Sequence, residues 1–138
     1  MPLVQEAKAL YNALINSGSI TYDVLPDGAT STTLTSGTSS WGYGSWAQIA
    51  SSVGTSDVWI VGVCFENPSD NVEFDVDLGT GASGSESAIG TFPVIAAFFP
   101  LPYPIKVSSG TRLAGRCRSS TTTADTIDVK VVIAKSVQ

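Results

Sequence analysis

Residues 56–79, SDVWIVGVCFENPSDNVEFDVDLG, hold two strand-like runs of different character on either side of a turn. The first, residues 58–65, is apolar at odd and even positions alike, as expected of a strand covered on both faces. The second, residues 72–78, alternates strictly. Val72, Phe74, Val76 and Leu78 are expected to face a core, while Glu73, Asp75 and Asp77 are expected to face water. Between the two runs, Asn67, Pro68, Ser69, Asp70 and Asn71 bring the fixed φ of proline and the side-chain-to-backbone hydrogen bonds that turns use. The pattern predicts a β-hairpin or an equivalent corner, and commits the middle of the chain to sheet.

The flanking sequence extends that reading. Val4, Ala7, Leu10 or Tyr11, and Leu14 recur at helical spacing, and Gly18 follows where a C-terminal cap would sit, so residues 3–16 are expected to form one short amphipathic helix. Docking of its apolar stripe on its own domain and gripping of a neighbouring subunit both remain open. From residue 19 the texture is β: residues 20–25, a turn at Pro26-Asp27-Gly28, then residues 30–35. A Gly/Ser/Thr-rich loop, residues 36–45, carries Trp41 and Tyr43, and residues 46–50 enter another strand. Trp41 and Trp46 either cap the open end of the core or form a stacking platform or interface anchor.

Gly79-Thr80-Gly81-Ala82-Ser83-Gly84 matches the spacing GxGxxG. The phosphate-binding use of that spacing needs a helix directly afterwards and an acid on the next strand. Here residues 85–90 lead instead into the apolar run 92–99, so a surface loop accounts for the glycines. Prolines 100, 102 and 104 place the next segment at a sheet edge or on a crossover between sheets. Residues 105–107, 111–118 and 126–134 complete the strands. Within 111–118, Arg112, Arg116 and Arg118 share one face, with Leu113 and Cys117 on the other. Those arginines either bind phosphate or carboxylate groups or pair with acids on a neighbouring strand. Altogether the chain reads as all-β: a jelly-roll-like β-sandwich of about eight strands over residues 19–138, preceded by a helical arm over residues 1–18.

Composition narrows the chemistry. The 138 residues contain no histidine, which removes the usual general base, the commonest metal ligand and every imidazole-based triad, so an enzyme is not expected. Neither a metal nor another cofactor is implied. Glu73, Asp75 and Asp77 could offer oxygen ligands, but successive same-face side chains are spaced too widely to wrap one ion unaided. Cys64 and Cys117 read as buried thiols, with a bridge left open. A net charge of −5 disfavours nucleic acid as a partner. No basic region followed by an apolar one opens the chain and no apolar run is long enough to span a bilayer, so a soluble protein made in the cytoplasm, with no membrane partner, is expected. Only 14% of residues are charged, which leaves much small-residue surface and favours an oligomer over a monomer.

Several segments resemble a known group when taken together: Trp46 to Ile49 (WAQI), Val63 to Ser69 (VCFENPS), Phe74 to Glu86 (FDVDLGTGASGSE), Phe99 to Ile105 (FPLPYPI) and Gly110 to Arg116 (GTRLAGR). They resemble small virion proteins of tailed bacteriophages, in particular jelly-roll decoration or cement proteins on the outside of the head. The resemblance covers roughly residues 44–118, and its motifs are turns and strand edges. It implies a non-enzymatic homotrimer that binds the major capsid protein on the capsid exterior and stabilises the shell. Leu10, Tyr11, Leu14, Trp41, Tyr43, Trp46, Arg112 and Arg116 are the candidate partner-binding residues. A carbohydrate-binding or tail-fibre module, with Trp41 and Tyr43 as its platform, is the alternative.

Overall fold

The structure, a computed structural model, describes residues 20–136 together with Gln5, Lys8 and Ala9. Those three have helical backbone; the rest of the helix expected over residues 3–16, including Leu10, Tyr11 and Leu14, lies outside the described residues. The described chain forms nine strands: β1 (Ile20–Leu25), β2 (Thr32–Thr35), β3 (Ala47–Ala50), β4 (Val58–Glu66), β5 (Phe74–Thr80), β6 (Ser87–Pro93), β7 (Phe98–Val107), β8 (Leu113–Ser119) and β9 (Thr126–Ser136).

Two antiparallel sheets face each other. One has the order β1-β9-β4-β7, with β2 pairing the same flank of β9 as β1, and the other has the order β3-β8-β5-β6. Residues 131–136 of β9 pair β1 and residues 126–129 pair β2, so β1 and β2 are two halves of one strand interrupted by the turn at Pro26, Asp27 and Gly28. Counted that way there are eight strands, and their pairing is nested. β5 pairs β6 across a tight turn, β4 pairs β7 outside it, β3 pairs β8 outside that, and β1/β2 pair β9 outermost. A long hairpin rolled onto itself gives this order, and it is the jelly roll expected from the sequence.

The 56–79 stretch makes the equivalent corner rather than a hairpin. β4 lies inside the first sheet between β9 and β7, while β5 lies inside the second between β8 and β6, so the turn at residues 67–73 carries the chain from one layer to the other. The core sits between the layers. Val58, Ile60, Val63 and Phe65 of β4 and Ile127, Val129, Val131 and Ile133 of β9 meet Phe74, Val76 and Leu78 of β5 and Leu113 and Cys117 of β8. Gly115 has no side chain where Leu34 and Ile49 converge; a β-carbon there would lie 3.1 Å from Ile49 and 3.3 Å from Leu34.

Two local features differ from the sequence reading. Residues 87–93, read as part of a loop running into an apolar segment, form β6, an edge strand in which Phe92 is the one fully buried side chain. The apolar run 92–99 is broken by a bend at residues 94–97 that moves the chain across to the first sheet. Pro100, Pro102 and Pro104 then fall on β7, which is that sheet's outer edge, as expected. Opposite Ile60 to Gly62 of β4, β7 advances from Ile105 to Pro100, so its proline-rich middle bulges away from the ladder. Proline and bulge together leave this edge a poor template for a further strand.

Ile133 is 1% exposed at the centre of the core and Pro102 is exposed on the edge. Urea denaturation is expected to show a loss of about 2–5 kcal/mol for Ile133→Ala and a change within about 0.5 kcal/mol for Pro102→Ala.

Candidate functional site

The outward face of the second sheet gathers most of the chemistry-bearing side chains that the sequence singled out. β5 and β8 pair so that Asp77 lies opposite Arg116 and Asp75 opposite Arg118. Each arginine meets its acid: Arg116 Nε donates to Asp77 Oδ2 at 3.0 Å, and Arg118 Nε donates to Asp75 Oδ2 at 3.1 Å. Arg112 Nη1 donates to Glu86 Oε1 at 2.9 Å and to the carbonyl of Gly81 at 3.1 Å, and its Nε donates to Gln48 Oε1 at 3.0 Å. The three arginines therefore pair with acids on neighbouring segments, one of the two roles open to them.

The expectation that Asp77 faces water is corrected. It does project from the outward face, but it is 2% exposed. Besides Arg116, its carboxylate accepts hydrogen bonds from Thr91 Oγ1 at 2.7 Å and Tyr43 Oη at 3.1 Å. Thr91 is its register partner on β6, so strands on both sides close over it. A buried carboxylate is tolerable only when its lone pairs are filled in this way.

Above these pairs lies a stack. The Arg116 guanidinium carbon is 3.9 Å from the centre of the Tyr43 ring and 4.5 Å from that of Trp46. The Arg118 carbon is 4.9 Å from Tyr43 and 5.6 Å from Trp41. The side chains alternate as Trp46, Arg116, Tyr43, Arg118, Trp41. Each guanidinium thus carries a carboxylate at its edge and aromatic rings at its faces, an arrangement that suits its planar, weakly hydrated charge.

Local backbone explains how a Gly/Ser-rich loop and the residue that follows it, Trp46, bring three aromatic rings to the stack. The backbone N–H groups of Trp41 and Gly44 donate to the carbonyls of Ser119 (2.7 Å) and Cys117 (3.1 Å) on β8, and Ser36 N–H donates to the Asp125 carbonyl at 2.8 Å. The loop therefore runs along β8 as an irregular extension of the sheet. Gly44 is required there, because a β-carbon would sit 1.6 Å from the Thr35 carbonyl oxygen. Gly79 leaves room for the Trp46 ring, which would lie 2.6 Å from an added β-carbon. Trp41 adopts φ 59°, a left-handed conformation uncommon for a bulky residue, and is 39% exposed. The two tryptophans lie over the outward sheet face, rather than over an open end of the core.

The environment tunes several groups. Burial and the hydrogen bond to Asp77 push the Tyr43 hydroxyl above the usual tyrosine range, against the pull of Arg118 and Arg116. For Glu86, burial pushes upward, but its own backbone N–H, the Arg112 guanidinium and the Gly84 N–H outweigh it and hold the carboxyl below the ordinary value. Cys117 is buried between the sheets and pushed up to about 12 by desolvation and by Asp125. Cys64 is half-buried rather than buried, and it is not in wholly apolar company. Burial and Glu66 raise its thiol, opposed by Lys130. Both thiols are free and they lie on different sheets, so neither is bridged and neither is poised as a thiolate. Among the described residues, no three His, Cys, Asp or Glu side chains converge as a metal site.

Of the candidate residues, Trp41, Tyr43, Trp46 and Arg116 come together in the stack, and Arg112 sits on the same sheet face beside Glu86. Sequence reasoning missed Asp75, Asp77 and Arg118 as members. The alternation at residues 72–78 and the arginine spacing at 112–118 were the signal; the register that brings the two together was not visible.

By its strand order the protein belongs to the jelly-roll class of β-sandwiches. No protein-family model matches the chain, and no curated protein matches it. Among solved structures it is similar to that of the infectious bursal disease virus Gx strain, with a TM-score of 0.44 and 10% identity over 86% of this chain and 33% of that one. It is also similar to the infectious bursal disease virus VP2 subviral particle (TM-score 0.37, 10% identity, 87% of this chain and 38% of that one). A third is the Yersinia pseudotuberculosis-derived mitogen (TM-score 0.34, 10% identity, 82% and 84%). The chain spans about a third of the length of the viral chains it matches.

Removing one partner of the buried pair tests the stack. Asp77→Ala and Arg116→Ala are each expected to lower unfolding free energy by about 2–4 kcal/mol, below the full cost of a buried pair because Arg116 is 28% exposed. In urea denaturation the double variant should lose less than the sum, with a coupling of about 1–3 kcal/mol; additive losses would mean that the rungs act independently.

Proposed function

We propose that this chain is a structural virion protein: a decoration or cement protein of a tailed bacteriophage head. It acts as a homotrimer that binds the major capsid protein on the outside of the shell. The observation that carries this reading is the Trp46-Arg116-Tyr43-Arg118-Trp41 stack, an amphipathic patch on the outward face of the second sheet that ends in an exposed indole. Aromatic and arginine side chains held in place this way lose little freedom on docking, which suits a protein-contact surface better than a reaction centre. The nested jelly-roll order and the resemblance of residues 44–118 support the same assignment. So does the pairing of the arginines within the sheet, which leaves the patch without a free basic cluster for nucleic acid.

The protein works by mass action and carries out no catalysis. A ligand that binds the assembled lattice and not its free subunits lowers the free energy of the shell by an amount that grows with concentration over Kd. Many weak copies sum. Trp41 supports a second reading, a carbohydrate-binding or tail-fibre module, because one ring of the stack stands open to solvent and could receive the apolar face of a sugar.

Sedimentation of the purified protein and its binding to heads that lack it separate these readings. A trimer that saturates such heads, and whose Trp41→Ala variant stays trimeric but binds at least about tenfold more weakly, is the expected result. A monomer indifferent to heads would overturn the proposal. Glycan binding lost in Trp41→Ala, with no affinity for heads, would favour the second reading.

A further inference from the structure

One end of the sandwich carries a cavity that the proposed function does not use. It has a volume of about 590 Å³, within the range of small-molecule sites, and lies between the corner at residues 67–73 and the bend at residues 94–97. Its floor is the core itself: Phe65, Phe74 and Ile127 are buried and also line it.

The walls are tied on both sides. Val94 N–H donates to the Phe74 carbonyl at 3.0 Å and Phe65 N–H to the Ala97 carbonyl at 2.8 Å, which anchors the bend at both ends. Across the cavity, Ser69 N–H donates to the Thr126 carbonyl at 2.9 Å, Thr126 N–H donates to Ser69 Oγ at 2.9 Å, and Asn67 Nδ2 donates to Asp128 Oδ2 at 3.1 Å. The site is therefore pre-formed. Ile95, at the tip of the bend, is 79% exposed beside it, the most exposed large aliphatic side chain described.

The one charged side chain among the residues that line the cavity is acidic: Asp70, which is exposed. An apolar floor beside a single carboxylate favours a small molecule with an aliphatic body and a cationic head: the body gains by leaving water and the head by approaching Asp70. We infer that this cavity binds aliphatic ammonium compounds.

Octylammonium, octanol and octanoate, titrated into the methyl-labelled full chain at low ionic strength, test the inference by nuclear magnetic resonance. Saturable shifts at the methyls of Val72, Val94, Ile95 and Ile127 are expected, with octylammonium at least about tenfold tighter than octanoate and octanol between them. Asp70→Asn should narrow that gap. Ala96→Trp, on an exposed part of the bend, should plug the mouth and abolish the shifts while leaving the rest of the spectrum in place. Absence of saturation, octanoate binding as tightly as octylammonium, or shifts confined to residues away from the cavity, such as those around exposed Tyr22 on β1, would each overturn the inference. Head binding is not read out, so its outcome is independent of the proposed function.

Discussion

Two of the four interior strands, β8 and β9, come last in the chain, and the first three strands pair only with them. β9 separates β1 and β2 from β4, and β8 separates β3 from β5. Until these strands are in place, the first three strands have nothing to pair with, because their partners lie far along the sequence. Such non-local pairing costs loop-closure entropy before it returns contacts, so the fold is expected to form cooperatively and slowly for its size.

That register also creates the outward face of the second sheet. A slip of one residue by β8 against β5 would turn Arg116 and Arg118 inward and Leu113 and Cys117 outward, leaving Asp75 and Asp77 without their partners. Correct pairing sets acid opposite arginine twice in succession, and the arginines, held at their edges, become planar supports for Tyr43, Trp46 and Trp41. Core and patch are thus two consequences of one alignment. The loop that bears Trp41 and Tyr43 is held by β8 backbone carbonyls, which ties the patch to the strand beneath it.

Much of this architecture was legible in the residues. Full apolarity at 58–65 marked the inner strand, alternation at 72–78 marked which side chains reach the core, and three alternate prolines marked an edge. β6 was not, because an edge strand with Gly90 and Pro93 and one buried side chain carries almost no periodic signal. The burial of Asp77 was hidden for a related reason: period-two alternation says which face a side chain occupies, and not whether that face is covered by partners distant in sequence. Trp41 and Tyr43 were legible as candidates, but the residues that order them, Arg116 and Arg118, could be joined to them only through the sheet.

The account holds that the aromatic and arginine face of the second sheet is where this protein meets its neighbours. A cryo-electron microscopy reconstruction of heads saturated with the protein places that face directly. The account predicts three copies around a symmetry axis with the Trp41 end of the stack against the shell. Density in which that face points to solvent while the opposite sheet contacts the shell would contradict it.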